Sequence, residues 1–158
     1  MTGELPAGHV ARAALGETRR LVVKIGSRSL MADGTKRYES LARQLSGQRA
    51  QGRHPVLVSS GAVAVGRLRL GMTERPKAMD RLQAAAATGQ SRLMRAYEDA
   101  FEKHGVNVAQ VLFTHADLAD RDRYLNARGC LDALLELNVI PIINENDTVS
   151  VDELRFSD

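Results

Sequence analysis

Three short segments of this chain combine residue types that handle anions and ammonium groups. Lys24-Ile25-Gly26-Ser27 and Ser59-Ser60-Gly61-Ala62 set small, amide-presenting residues beside a lysine. Glycine lets a backbone come close to a phosphate, and the unpaired amides that open a following helix attract negative charge. Lys24 adds a mobile positive charge next to Gly26 and Ser27. The third segment is Asn144-Glu145-Asn146-Asp147. There Asp147 suits a ligand ammonium and the asparagines supply directional hydrogen bonds. Blander readings stand beside each: a plain turn at Gly26-Ser27, a lysine snorkelling to water, an Asx-type turn at 144–147.

Other chemistries find less support. Ser59-Ser60-Gly61 lacks the Gly-x-Ser-x-Gly frame of a hydrolase nucleophile. No Gly-x-x-x-x-Gly-Lys-Ser/Thr loop occurs, and no Gly-x-Gly-x-x-Gly follows the first strand. His9, His54, His104 and His115 are scattered, so no metal site is expected from spacing and solvent-exposed histidines are. Cys130, beside Leu131, reads as a small packing residue of a helix. Tyr124-Leu125-Asn126-Ala127-Arg128 reads as an amphipathic helix with Arg128 in water.

The elements that position these segments follow from hydrophobic pattern and punctuation. Residues 21–25 and 55–58 read as short buried strands ended by small residues. A helix over 38–51 uses Leu41, Leu45 and Gln48-Arg49 as one face and stops at Gly52. A short helix is expected over 62–70. A long one runs over 78–104, where Ala84–Ala87 permits close packing and Leu82, Leu93, Tyr97 and Phe101 supply larger contacts; Gly105 stops it. Further strands are expected over 106–113, 139–143 and 151–156. A helix over 120–137 should bury Leu125, Leu131, Leu134 and Leu135. Strands alternating with long helices predict an α/β fold, a three-layer α/β/α sandwich with a mainly parallel sheet whose strands are covered on both faces. In such sheets ligands bind beyond the carboxyl ends of the strands, where all three segments fall.

Composition narrows the class. With 44% hydrophobic and 26% charged residues, 158 residues can bury the core of about one domain. No apolar run approaches the ~20 residues that cross a bilayer, so no membrane partner is expected. The first 18 residues read as a loose extension; Glu4 and Glu17 argue against a targeting presequence. A single cysteine fits a reducing, cytoplasmic compartment. The net charge of +3 is dispersed, and three Phe, three Tyr and no Trp leave few base-stacking platforms, so nucleic acid is not an expected partner.

Val22-Val23-Lys24-Ile25-Gly26-Ser27, Val58-Ser59-Ser60-Gly61-Ala62-Val63-Ala64-Val65-Gly66 and Ala84-Ala85-Ala86-Ala87-Thr88-Gly89-Gln90 resemble the glutamate 5-kinase branch of the amino acid kinases. So do Tyr124-Leu125-Asn126-Ala127-Arg128 and Ile140-Pro141-Ile142-Ile143-Asn144-Glu145-Asn146-Asp147-Thr148-Val149. The resemblance runs from about Leu21 to Asp158. It implies ATP- and magnesium-dependent phosphorylation of the γ-carboxylate of L-glutamate to L-glutamyl 5-phosphate, the first step of proline biosynthesis. By position, Lys24 matches the catalytic lysine on the transferring phosphoryl group, with Gly26 and Ser27 as phosphate contacts. Ser60, Gly61 and Ala62 match the glutamate-contacting loop. Asp147 matches the holder of the α-ammonium, supported by Asn144, and Asp158 matches a further substrate contact. L-Glutamate, proline as feedback ligand of the same site, and a homo-oligomer are the implied partners.

The chemistry agrees with elementary acidity. A glutamate carboxylate, with a pKa of about 4.3, is ionised at neutral pH and needs no general base. Alignment and charge neutralisation are what the transfer requires. The family's chain continues into a nucleotide-holding half, so residues 19–158 read as the substrate-binding half, a truncated sandwich. The family's Gly-Asp-Asn-Asp motif is met here by Ser157-Asp158. The alternative is a non-catalytic glutamate- or proline-binding module, or a regulatory partner derived from the kinase. A related kinase acting on N-acetylglutamate, aspartate or carbamate shares the fold, and an acetylated amine would not pair with Asp147.

Overall fold

Runs of Val, Ile and Leu alternate with longer helical stretches, and the computed structural model, which describes residues 16–150, follows that alternation. In chain order the elements are β1 (Arg20–Ile25), α1 (Ser27–Met31), α2 (Thr35–Ala50), β2 (His54–Ser59), α3 (Ala62–Arg69) and α4 (Met79–Glu102). β3 (Val108–Phe113), α5 (His115–Ala119), α6 (Arg121–Glu136) and β4 (Ile140–Glu145) complete them. Most of the expected N-terminal extension, the expected strand 151–156 and Asp158 lie outside the described residues.

The four strands form one parallel sheet in the order β1-β2-β4-β3. Val23 pairs with Leu57 and Leu57 with Ile142, so these side chains form a row on one face. Against that face pack Tyr38, Ala42 and Leu45 of α2 and Leu93, Tyr97 and Phe101 of α4. Tyr97 is fully buried, and its hydroxyl shares a 2.8 Å hydrogen bond with Ser59 Oγ, which satisfies both polar groups inside the core. Tyr38 meets the Tyr97 ring edge-on, with centroids 4.9 Å apart. On the other face α6 packs on β4 and buries Leu135 outside that cluster, completing the third layer.

Several expectations need correction. β1 is not covered on both faces: it is a sheet edge, and Val22 is 71% exposed. α6 packs chiefly on β4 and reaches β1 with the ion pair from Asp132 to Arg20 at 2.8 Å. For the same reason Leu125 stays exposed and Cys130 is an exposed thiol, not a packing residue. β4 runs two residues further than expected, through Asn144 and Glu145, because pairing with Leu112 and Phe113 of β3 continues. Two short helices, α1 and α5, were not expected. Thr114 and Asp117 cap α5 reciprocally, a pattern readable in the sequence. No described helix is long and apolar enough to cross a membrane.

α3 and α4 touch backbone to backbone. A Cβ on Gly66 would lie 1.7 Å from the Ala85 carbonyl oxygen, and one on Gly89 would lie 1.8 Å from that of Ala62. Gly47 in α2 and Gly129 in α6 face open space. Gly89→Ala should therefore destabilise by about 3 kcal/mol or more, because backbone cannot step aside. Gly47→Ala and Gly129→Ala should stabilise by up to about 1 kcal/mol through helix propensity. Urea denaturation of the three variants checks the reversal of sign.

Candidate active site

The carboxyl ends of β1, β2 and β4 open into one cleft of about 540 Å³. Lys24, the penultimate residue of β1, lies exposed on its rim, with Gly26 and Ser27 following. The Ser60 amide donates to the Ile25 carbonyl at 3.1 Å, which ties the loop after β2 to the end of β1. Gly61 then turns the chain with φ +121°, a region that disfavours any side chain, and opens α3. No side chain caps α3, so its first amides are left for a ligand beside Ser60 and Ala62.

β4 brings the acidic side. Asn144 is buried, with 6% of its surface exposed, and its Nδ2 donates to Gln90 Oε1 of α4 at 2.8 Å. Asn146 builds the turn that the composition also allowed: Thr148 Oγ1 donates to its Oδ1, and the amides of Val149 and Ser150 donate to its carbonyl. The turn swings Asp147 back into the cleft with Asn144. The turn reading of the 144–147 segment is met by Asn146, while Asn144 and Asp147 line the cleft. Burial, with the nearby Glu145 charge adding to it, pushes the Asp147 carboxyl up to about 6, against the pull of Arg75.

Lys24, Gly26, Ser27, Ser60, Gly61, Ala62, Asn144 and Asp147 therefore line one cleft, although they come from three widely spaced segments. Asp158 lies outside the described residues. Three charged lining residues were not anticipated, Arg28, Arg67 and Arg75, and neither were Ser29, Val63 and Ala64 as lining. Arg67 had a readable signal, because it follows Val63 by one turn and shares its helix face. Arg28 and Arg75 carried none. Tyr124-Leu125-Asn126-Ala127-Arg128 does not reach the cleft; it is an exposed stretch of α6, and Arg128 sits 3.7 Å from Asp132. His54 is half-buried, while His104 and His115 are exposed. Among the described residues no three His, Cys, Asp or Glu side chains cluster as a metal site would.

The strand ends of a parallel sheet thus gather a lysine, glycine-loop amides, arginines and one carboxylate in one cleft. The amino acid kinase family profile matches residues 19–158, and the chain belongs to that family. It is 55% identical over 151 residues to the glutamate 5-kinase of Azoarcus sp. (strain BH72) and 54% identical to that of Paraburkholderia phytofirmans. Each alignment covers 93% of this chain and 41% of the relative, so the chain spans about two fifths of their length. Giardia carbamate kinase superposes with a TM-score of 0.55 at 14% identity, over 82% of this chain and 61% of that one, and so shares the fold.

The raised Asp147 has a consequence for stability. Its ordinary value of 3.8 describes the unfolded chain, and about 6 the folded one, so folding favours the protonated form. The stability this confers is present below pH 4 and lost as pH rises through 6. Asp147→Asn should therefore raise the thermal midpoint at pH 7.5, and the difference should vanish near pH 4. Thermal denaturation at both pH values checks it.

Proposed function

We propose that this chain forms the acceptor-binding half of a glutamate 5-kinase, which phosphorylates the γ-carboxylate of L-glutamate to give L-glutamyl 5-phosphate. The observation that carries this reading is the polarity of one cleft. A half-buried carboxylate, Asp147, stands at one end within reach of Arg75, and Lys24, Arg28 and Arg67 stand among loop amides around the rest. A free α-ammonium answers Asp147, and carboxylates and phosphates answer the cations. Relatives more than half identical over nearly the whole chain carry the same assignment in their name. Proline as a feedback ligand, a cytoplasmic setting and the first step of proline synthesis belong to the same proposal.

The residues present fit the phosphate end of ATP: Lys24, the Gly26-Ser27 segment and the uncapped start of α3 all offer positive charge or N–H donors. Magnesium is held largely by phosphates and water in such sites, which agrees with a cleft that offers it few carboxylates. ATP would supply the phosphoryl group, with the metal neutralising its charge. Lys24 balances negative charge on the oxygens around the transferring group. Ser60 and the amides of Gly61 and Ala62 hold the incoming carboxylate. Asp147 fixes the far end of the substrate through its ammonium and so sets how far the γ-carboxylate reaches. No residue needs to remove a proton, since that carboxylate is already ionised.

L-Glutamate titrated calorimetrically into the full chain should bind at pH 7.5. Asp147→Ala should weaken it on the order of a hundredfold, the cost of losing one partner of a desolvated ion pair. N-Acetyl-L-glutamate should not compete. Affinity should fall about tenfold per pH unit below about 6, where Asp147 takes up its proton. A folded chain that fails to bind L-glutamate, or an Asp147→Ala variant that binds it unchanged, overturns the reading.

A further inference from the structure

Gln90 has no place in the reading above, yet it touches the site. It stands on α4 directly after Gly89, the residue at which α4 meets α3. Its Oε1 accepts the Asn144 Nδ2 at 2.8 Å, while its own Nε2 is buried with no hydrogen-bond partner. A buried donor left without a partner costs stability, on the order of 1–3 kcal/mol. A methionine would fill the same space without that penalty. The amide is therefore retained at some expense, and its one satisfied bond goes to a residue of the cleft.

That bond decides what Asn144 offers. A primary amide presents a donor on one side and an acceptor on the other. With one Nδ2 hydrogen committed to Gln90, the Asn144 amide is held from turning over and keeps its carbonyl oxygen as an acceptor for the cleft it lines. A carbonyl oxygen accepts from an ammonium and repels a carboxylate. Turned over, the same side chain would present N–H and favour a carboxylate at the same place. We propose that Gln90 is a positioning and specificity residue: it locks the Asn144 amide so that Asn144 and Asp147 together accept hydrogen bonds from a free amino group. Its target is a primary ammonium on a small dicarboxylic acid, and the inference rests on the glutamate reading above.

Gln90 also borders a small cavity of about 20 Å³ beside Glu145, Asn146, Asp147 and Thr148.

The test compares L-glutamate with glutarate, which keeps both carboxylates and lacks the amine. NMR titration of the full chain reaches the millimolar constants glutarate requires. Gln90→Met should weaken L-glutamate about tenfold and leave glutarate within about twofold. Gln90→Glu keeps an acceptor for Asn144 Nδ2 and should restore L-glutamate binding at pH 7.5. Equal losses for both ligands would make Gln90 merely structural and overturn the inference, as would unchanged L-glutamate binding in Gln90→Met. Those two results leave the glutamate reading standing. An unaltered chain that binds no L-glutamate overturns that reading and this one with it.

Discussion

The site depends on two helices that touch with no side chain between them. Gly66 and Gly89 let the backbones of α3 and α4 approach until any Cβ would collide with a carbonyl oxygen. That contact fixes where α3 begins, and so where the loop of Ser60, Gly61 and Ala62 sits. It also sets Gln90 at the height of Asn144 on β4. The loop amides after β2 and the oxygens of Asn144 and Asp147 come from different strands, and the one helix pair holds both in register. Ala85 and Ala86, one turn earlier on α4, are buried as well.

The cleft collects groups that a purely structural sequence would avoid. Asp147 is half-buried beside Glu145, and the Gln90 amide is left with an orphan donor. Each is a local cost that the well-packed core between the sheet, α2 and α4 can tolerate. There Tyr97, Phe101 and Leu57 are fully buried, and the lone polar pair, Ser59 and Tyr97, satisfies itself. The raised Asp147 carboxyl and the Gln90 donor thus both border the strand ends, where function is expected to override stability.

Much of this was legible before any coordinates. The alternation of strand and helix gave the fold class, and the three polar strand ends marked one side of the sheet. Four of the long-helix residues expected to pack, Leu82, Leu93, Tyr97 and Phe101, are buried. What local pattern did not carry was lateral position. Nothing within Leu21-Val22-Val23 distinguishes an edge strand from a central one, because its neighbours are chosen by the rest of the chain. Nothing within α6 says that only its last turns meet the sheet. The arginines fall in the same class: Arg28 and Arg75 reach the cleft through loop paths, not through periodicity. Asn144 and Asp147 were legible as a pair, but the role of Asn146 between them needed the turn itself.

The strand order carries a kinetic consequence. β4, the last described strand, lies between β2 and β3, so both of its neighbours are older in the chain than it is. Until it docks, β2 and β3 face each other across an open seam, and closing that seam joins residues far apart in sequence. Non-local parallel pairing of this kind is slow, because loop entropy is lost before contacts repay it. β4 also delivers Asn144 and the turn bearing Asp147. The acidic wall of the cleft therefore comes into being in the same event that completes the sheet.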